Sequence, residues 1–272
     1  MKIKESALQA KAKGNRMIKN YVLRIYRGHP GKQYWEEFPL EWAPSANVIS
    51  ALMEIQRRPI NISGEKVEPV VWESGCLEEV CGSCSMLING YPRQACTALI
   101  ETIIKQTGDT TIRIAPLSKF PLVRDLIVDR TRMFDDLKRI HGWIDVGETY
   151  SNHAPGPKIY PEKQKIMYQL STCMTCGCCM EACPQVNDHS DFIGPAAISQ
   201  TRLFNANPVG YTQRSPRLRA LMEKVGCGNN QNCVKVCPKN IPLTDSIAAM
   251  FRATTLQAWN DLFSFPDRDQ EN

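Results

Sequence analysis

The run Cys173-Met174-Thr175-Cys176-Gly177-Cys178-Cys179-Met180-Glu181-Ala182-Cys183-Pro184 constrains the fold of this chain more than any other stretch. With Cys178 set aside it reads C-x₂-C-x₂-C-x₃-C-P. In that spacing three thiolates hold one iron–sulfur cubane and the fourth reaches across to a second. Such a run is incomplete alone and predicts a partner later in the chain. The partner begins at Cys227 and matches at Cys227, Cys233, Cys237 and Pro238, with Asn230 at the second cysteine position. Exchange of the fourth ligands assigns Cys173, Cys176, Cys179 and Cys237 to a [4Fe–4S] cluster. Cys183, Cys227 and Cys233 supply only three thiolates. Asparagine is a poor iron ligand, so a [3Fe–4S] cluster is expected there, a water or another residue as fourth ligand being the alternative. Cys178 is spare and reads as a small buried residue beside a cluster.

A different pattern lies upstream. Cys76-Leu77-Glu78-Glu79-Val80-Cys81-Gly82-Ser83-Cys84 is C-x₄-C-x₂-C, the plant-type [2Fe–2S] spacing. Asn89-Gly90, a two-residue hairpin signal between Ser85–Ile88 and Tyr91–Ala95, would return Cys96 to Cys84 as the fourth ligand. A four-cysteine zinc site is the competing reading, but zinc usually takes paired knuckles, and only one close pair is present. No catalytic residue is expected, and the iron is held through these same cysteines.

Composition removes other uses for the thiols. Twelve cysteines in 272 residues fall well short of a small disulfide scaffold. The first twenty residues carry Lys2, Lys4, Lys11, Lys13, Arg16 and Lys19 but no apolar stretch of the signal-peptide kind, so metal binding is favoured over disulfides. A net charge of +5 is mild and spread along the chain, giving no argument for nucleic acid. No run approaches the length of a membrane span.

Pattern divides the chain into a basic extension at 1–19, a strand-rich domain at 20–118 and a helical domain at 119–272. In the first domain, Tyr21–Arg27 and Tyr34–Leu40 read as a hairpin around Gly28-His29-Pro30-Gly31. Ser45 or Asn47 caps a helix running to Arg58, and Val70–Trp72 and Thr110–Ile114 are further strand candidates. In the second, helices are expected over Leu122–Ile140, Lys163–Thr172, Pro195–Asn205, Ser215–Val225 and Pro242–Trp259. The fold class expected is α+β: an N-terminal β-grasp plant-type ferredoxin domain, then a mainly helical two-cluster ferredoxin domain.

A [2Fe–2S] segment followed by a [4Fe–4S]/[3Fe–4S] segment, with all eleven ligand cysteines in order, resembles the iron–sulfur subunit of succinate dehydrogenase and fumarate reductase. Pro116-Leu117, Asp125–Asp129 and Phe192-Ile193-Gly194-Pro195-Ala196 match family segments between the cysteines. The resemblance implies an electron-transfer subunit of a membrane-bound succinate:quinone oxidoreductase, or of a quinol:fumarate reductase working in reverse. It implies an FAD-containing flavoprotein partner that carries the acid–base chemistry. It also implies a membrane anchor of cytochrome b type with haem b, and a peripheral position on the cytoplasmic face of the bacterial cell membrane. Ubiquinone-using members carry paired tryptophans after the proline that follows the fourth cysteine, and a histidine after the first cysteine of the second run. Here Pro184-Gln185-Val186-Asn187-Asp188-His189 and Gly228 stand at those places. The resemblance therefore points toward menaquinone-linked members.

Overall fold

The computed structural model describes residues 20–147, 156–222, 224 and 226–263. The basic extension read at 1–19 lies outside them. The first region is a mixed five-stranded sheet of order β2 (Lys32–Glu41), β1 (Asn20–His29), β5 (Thr111–Ala115), β3 (Ser85–Ile88), β4 (Tyr91–Gln94). Strands β1 and β2 are antiparallel, and β5 lies parallel to β1. Strands β3 and β4 form the hairpin expected at Asn89-Gly90, both residues with positive φ. Alternation along β1 buries Tyr21, Leu23 and Ile25, the period-2 pattern of a sheet with one face in the core.

Helix α1 (Val48–Arg57) starts at Asn47, whose side chain accepts from Ser50 N–H at 2.8 Å while the Ser50 hydroxyl accepts from Asn47 N–H at 2.9 Å. That reciprocal cap selects Asn47 over Ser45. The helix buries Val48, Ile49, Ala51, Leu52 and Ile55 against the sheet. A second helix, α2 (Ile100–Thr107), is not expected from the sequence reading; it buries Ile100, Ile103 and Ile104 and ends at Gly108 in the left-handed region, φ 71°.

The stretch Leu122–Ile140, expected as one helix, is divided. It forms a short hairpin of β6 (Leu122–Arg124) and β7 (Ile127–Val128), then α3 (Thr131–Arg139). The break is at Asp125, φ 48°, whose carboxylate accepts from Gly28 N–H and Val71 N–H, both at 2.8 Å, and pairs with Arg27 at 3.3 Å. Both charged side chains are buried, so satisfying them outweighs local helix propensity. Residues 70–72 form no ladder; Val71 bonds to Asp125 and Leu126 instead.

The remaining elements are helices: α4 (Pro161–Ser171), α5 (Cys178–Glu181), α6 (Pro195–Ala206), α7 (Pro208–Tyr211), α8 (Arg214–Met222), α9 (Asn232–Lys235) and α10 (Leu243–Phe263). Pro161, Pro195 and Pro208 each sit in a first turn, where the missing N–H costs nothing. Helix α10 packs on α6 and α8, and its Ile247, Met250 and Ala253 enter a second core with Ile198, Leu218 and Leu221. Among the described residues no helix is long and apolar enough to cross a membrane. A mixed sheet with its helices, followed by a mainly helical region, is the α+β arrangement expected.

Candidate iron–sulfur sites

The first group lies where the sheet ends. Cys76 Sγ accepts from the backbone N–H of Val80 at 3.1 Å, Cys81 at 3.2 Å and Glu78 at 3.4 Å. Left-handed backbone at Leu77, Glu79 and Gly82 turns these groups inward. Cys81 Sγ lies 3.2 Å from the Ser83 hydroxyl and accepts from Cys76 N–H. These donors pull the Cys81 thiol down to about 6. Hydrogen bonds to sulfur stabilise thiolate over thiol. Cys84 and Cys96 flank the β3–β4 hairpin, joined by Ala95 N–H to Cys84 C=O at 3.1 Å. Burial pushes the Cys84 thiol up to about 12, against the backbone N–H of Cys96, which favours the thiolate, and with the Cys96 thiol, which disfavours it. The two pairs are tied across the loop by the Thr97 hydroxyl, which donates to Glu79 at 2.8 Å, and Asn47 Nδ2 fastens the Cys96 carbonyl to the start of α1 at 2.8 Å.

The second group surrounds one cavity. Cys173, Cys176, Cys179 and Cys237 all line it, roofed by Ile241 and Leu243. Cys173 follows α4, Cys176 follows the left-handed Thr175, and Cys179 lies in α5 beyond Gly177. A Cβ on Gly177, φ 86°, would meet the Phe120 ring at 3.0 Å, so glycine is required at that turn. Burial and the thiols of Cys176, Cys173 and Cys237 push Cys179 well above the ordinary thiol range. Four sulfur donors around one cavity form a set suited to a cationic iron core, which deprotonates coordinating thiols outright.

The third group lines a separate cavity: Cys183, Cys227 and Cys233, with Asn230 and Gln185. Cys227 Sγ accepts from Asn229 N–H at 3.4 Å, and Cys233 is pushed up to about 11 by burial and by Cys183 and Cys227. Asn232 donates to the Ala182 carbonyl at 3.2 Å, fastening the later run to the earlier one. Among the described residues, no three His, Cys, Asp or Glu side chains converge tightly enough to hold a single metal ion. The thiols of the second and third groups line cavities, a geometry suited to a polynuclear cluster.

Sequence reading missed the contacts between groups. Gly82, φ 77°, sits so near the Cys176 turn that a Cβ would lie 2.8 Å from the Met174 carbonyl and 3.0 Å from Cys176 Cα. Arg130 Nη1 donates to the Gly82 carbonyl at 2.7 Å. Glu181 accepts from the Ser118 hydroxyl at 2.6 Å and from Lys119 N–H at 3.0 Å, and the Tyr91 hydroxyl donates to the Lys235 carbonyl at 2.7 Å. Cys178, the spare cysteine, is fully buried against Gln94 of the first region.

Comparison with known proteins gives this geometry its setting. Residues 22–135 match the model of a 2Fe-2S iron-sulfur cluster binding domain, and residues 172–242 match that of a 4Fe-4S dicluster domain. The succinate dehydrogenase iron-sulfur subunit of Bacillus subtilis is 55% identical over 85% of this chain and 90% of that one. The chain belongs to the iron–sulfur subunits of succinate dehydrogenase and fumarate reductase. Within this family the fumarate reductase iron-sulfur subunit of Wolinella succinogenes is 29% identical over 85% of the chain and 95% of its own length. A chain of the Mycobacterium smegmatis Sdh1 complex in the apo form shares the fold, with a TM-score of 0.70 over 91% of this chain and 98% of that chain at 21% identity. The protein is thus an iron–sulfur electron-transfer subunit of that enzyme class, with [2Fe–2S] and [4Fe–4S] binding domains.

Proposed function

We propose that this subunit carries electrons from an FAD-containing flavoprotein, through [2Fe–2S], [4Fe–4S] and [3Fe–4S] centres, toward menaquinone at a membrane anchor of cytochrome b type. The observation that carries the reading is the sorting of the cysteines. Cys76, Cys81, Cys84 and Cys96 would hold the first centre. Cys173, Cys176, Cys179 and Cys237 line one cavity, and Cys183, Cys227 and Cys233 line another with Asn230 at the place of a twelfth ligand. When bound, the clusters supply one-electron carriage. The chain's own residues orient the sulfurs and direct backbone N–H groups at them. Gly228, and the absence of tryptophan in Pro184–His189, support menaquinone over ubiquinone.

The division at 1–19, 20–118 and 119–272 belongs to the same proposal; two separate cores, one around Leu23 and Leu52 and the other around Ile198 and Leu218, support two folded units, with Leu126 packed in the first core and Leu117 in the second. The proposed setting is a succinate:quinone oxidoreductase at the cytoplasmic face of the cell membrane. Fumarate reduction is the same chain of centres run backward.

Redox-titrated EPR of membranes containing the complex, with succinate added, tests the proposal. A [2Fe–2S] signal that grows on reduction and a [3Fe–4S] signal present when oxidised are expected. Loss of the three-iron signal from the spectrum would refute the Asn230 assignment.

A further inference from the structure

Between the first two groups of thiols lies a fully buried amide with a conflict in its hydrogen bonds. Gln94 Nε2 donates to the Ser85 hydroxyl at 2.9 Å and to Cys178 Sγ at 3.5 Å, while its Oε1 accepts the Cys84 S–H at 3.6 Å. As a cluster ligand Cys84 is a thiolate and has no proton to give. Oε1 would then face an anion inside the protein, where Gln94 has no access to water. Turning the amide over exchanges oxygen and nitrogen with no change of shape.

We propose that Gln94 adopts this turned orientation when Cys84 is ligated, donating Nε2–H to the Cys84 sulfur and accepting the Cys178 S–H at Oε1, so that Gln94 and Cys178 tune the [2Fe–2S] centre from the side of the [4Fe–4S] site. The inference rests on the assignment of Cys84 as a [2Fe–2S] ligand. Its proton count leaves open the amide's second N–H and the Cys178 S–H, for which Cys176 is a second acceptor beside Oε1. Ser85 donates to the Gly82 carbonyl at 2.7 Å, yet Arg130 Nη1 donates to that same carbonyl, also at 2.7 Å. The Ser85 proton is therefore released to Oε1 while Gly82 stays satisfied. Cys178 supplies the other donor, and it comes from the run that also holds Cys176 and Cys179. A thiol with no ligand role thereby fixes the orientation of an amide 84 residues away in sequence.

A hydrogen bond to a ligand sulfur favours the more negative, reduced cluster and raises its potential. Redox-titrated EPR of the assembled complex reads this centre by centre. Gln94→Leu keeps the volume and removes the donor. At a fixed ambient potential its [2Fe–2S] ratio should move about tenfold toward oxidised, about 59 mV for one electron. The other two midpoints should stay in place. Cys178→Ser keeps a donor and should hold the wild-type midpoint, whereas Cys178→Ala should shift it the same way as Gln94→Leu. If Gln94→Leu fails to assemble, the Cys178 pair decides. A wild-type [2Fe–2S] signal with unmoved variants, or a common shift of all three centres, overturns the bridge alone. Absence of the [2Fe–2S] signal from wild type overturns the cluster reading and the bridge with it.

Discussion

Single residues decide what each cavity can hold. Asn230 lines the cavity of Cys183, Cys227 and Cys233, and its amide offers iron far less than a thiolate. Asn230→Cys should let a fourth iron bind. The three-iron EPR signal of the oxidised protein should then vanish and a second reducible four-iron signal appear. An unchanged three-iron signal would mean that Asn230 is not at the missing ligand position. Gly82 makes a second single-residue argument. Its φ of 77° and the 2.8 Å approach of the Met174 carbonyl to a built Cβ leave no room for alanine, and the obstruction is backbone. Gly82→Ala should destabilise the subunit by about 2 kcal/mol, read as an earlier thermal loss of visible cluster absorbance. An unchanged transition would show that the two loops can part freely.

Elements were legible from the sequence where their determinants are local. Helix α6 begins at Pro195, and the β3–β4 hairpin turns on Asn89-Gly90. The Leu122–Ile140 stretch was misread because its determinant is remote: Asp125 pairs with Arg27, 98 residues away. Arg217 shows the same dependence among the helices. Fully buried in α8, it donates to the carbonyls of His141 at 2.9 Å, Gly210 at 2.5 Å and Trp143 at 2.5 Å, and to the side chains of Gln213 and Asn205. All the hydrogen-bonding nitrogens of one guanidinium thus pin α8 to α7 and to the turn after α3, and burial lowers its pKa. Arg217→Met should cost on the order of 3 kcal/mol or more, since several carbonyls would be left unpaired. Arg217→Lys should recover little, because an ammonium cannot reproduce the planar fork. Thermal unfolding of the two variants checks both statements, and a fully stable Lys variant would contradict the cage argument.

At the scale of the whole molecule, cysteine spacing groups Cys173, Cys176, Cys179 and Cys237 apart from Cys183, Cys227 and Cys233, and two separate cavities are lined by those same groups. The joint between the halves was not legible in spacing. Tyr91 reaches Lys235 across 144 residues and Gln94 reaches Cys178 across 84, and no local pattern announces either contact. The same contrast governs how the halves should respond to iron. The sheet region has a continuous core dominated by aliphatic side chains such as Leu23, Ile25, Leu52 and Ile112, with Cys84 and Cys96 the only assigned ligands packed into it. In the helical region, Cys173, Cys179, Cys233 and Cys237 are themselves part of the small cores around Leu170 and Ile241, so the cavities interrupt the packing. Metal binding there is also folding free energy. Removing iron with a chelator under reducing conditions should therefore raise amide exchange first in α5, α9 and the segments beside them. Exchange in β1, β5 and α1 should stay slow, and the Cys76–Cys84 loop should be the one part of the first half to open. Hydrogen exchange read by mass spectrometry locates the change peptide by peptide. If the sheet lost protection together with the helices, the two halves would be one cooperative unit, and the contacts at Gly82, Gln94 and Tyr91 would be strong enough to make them so.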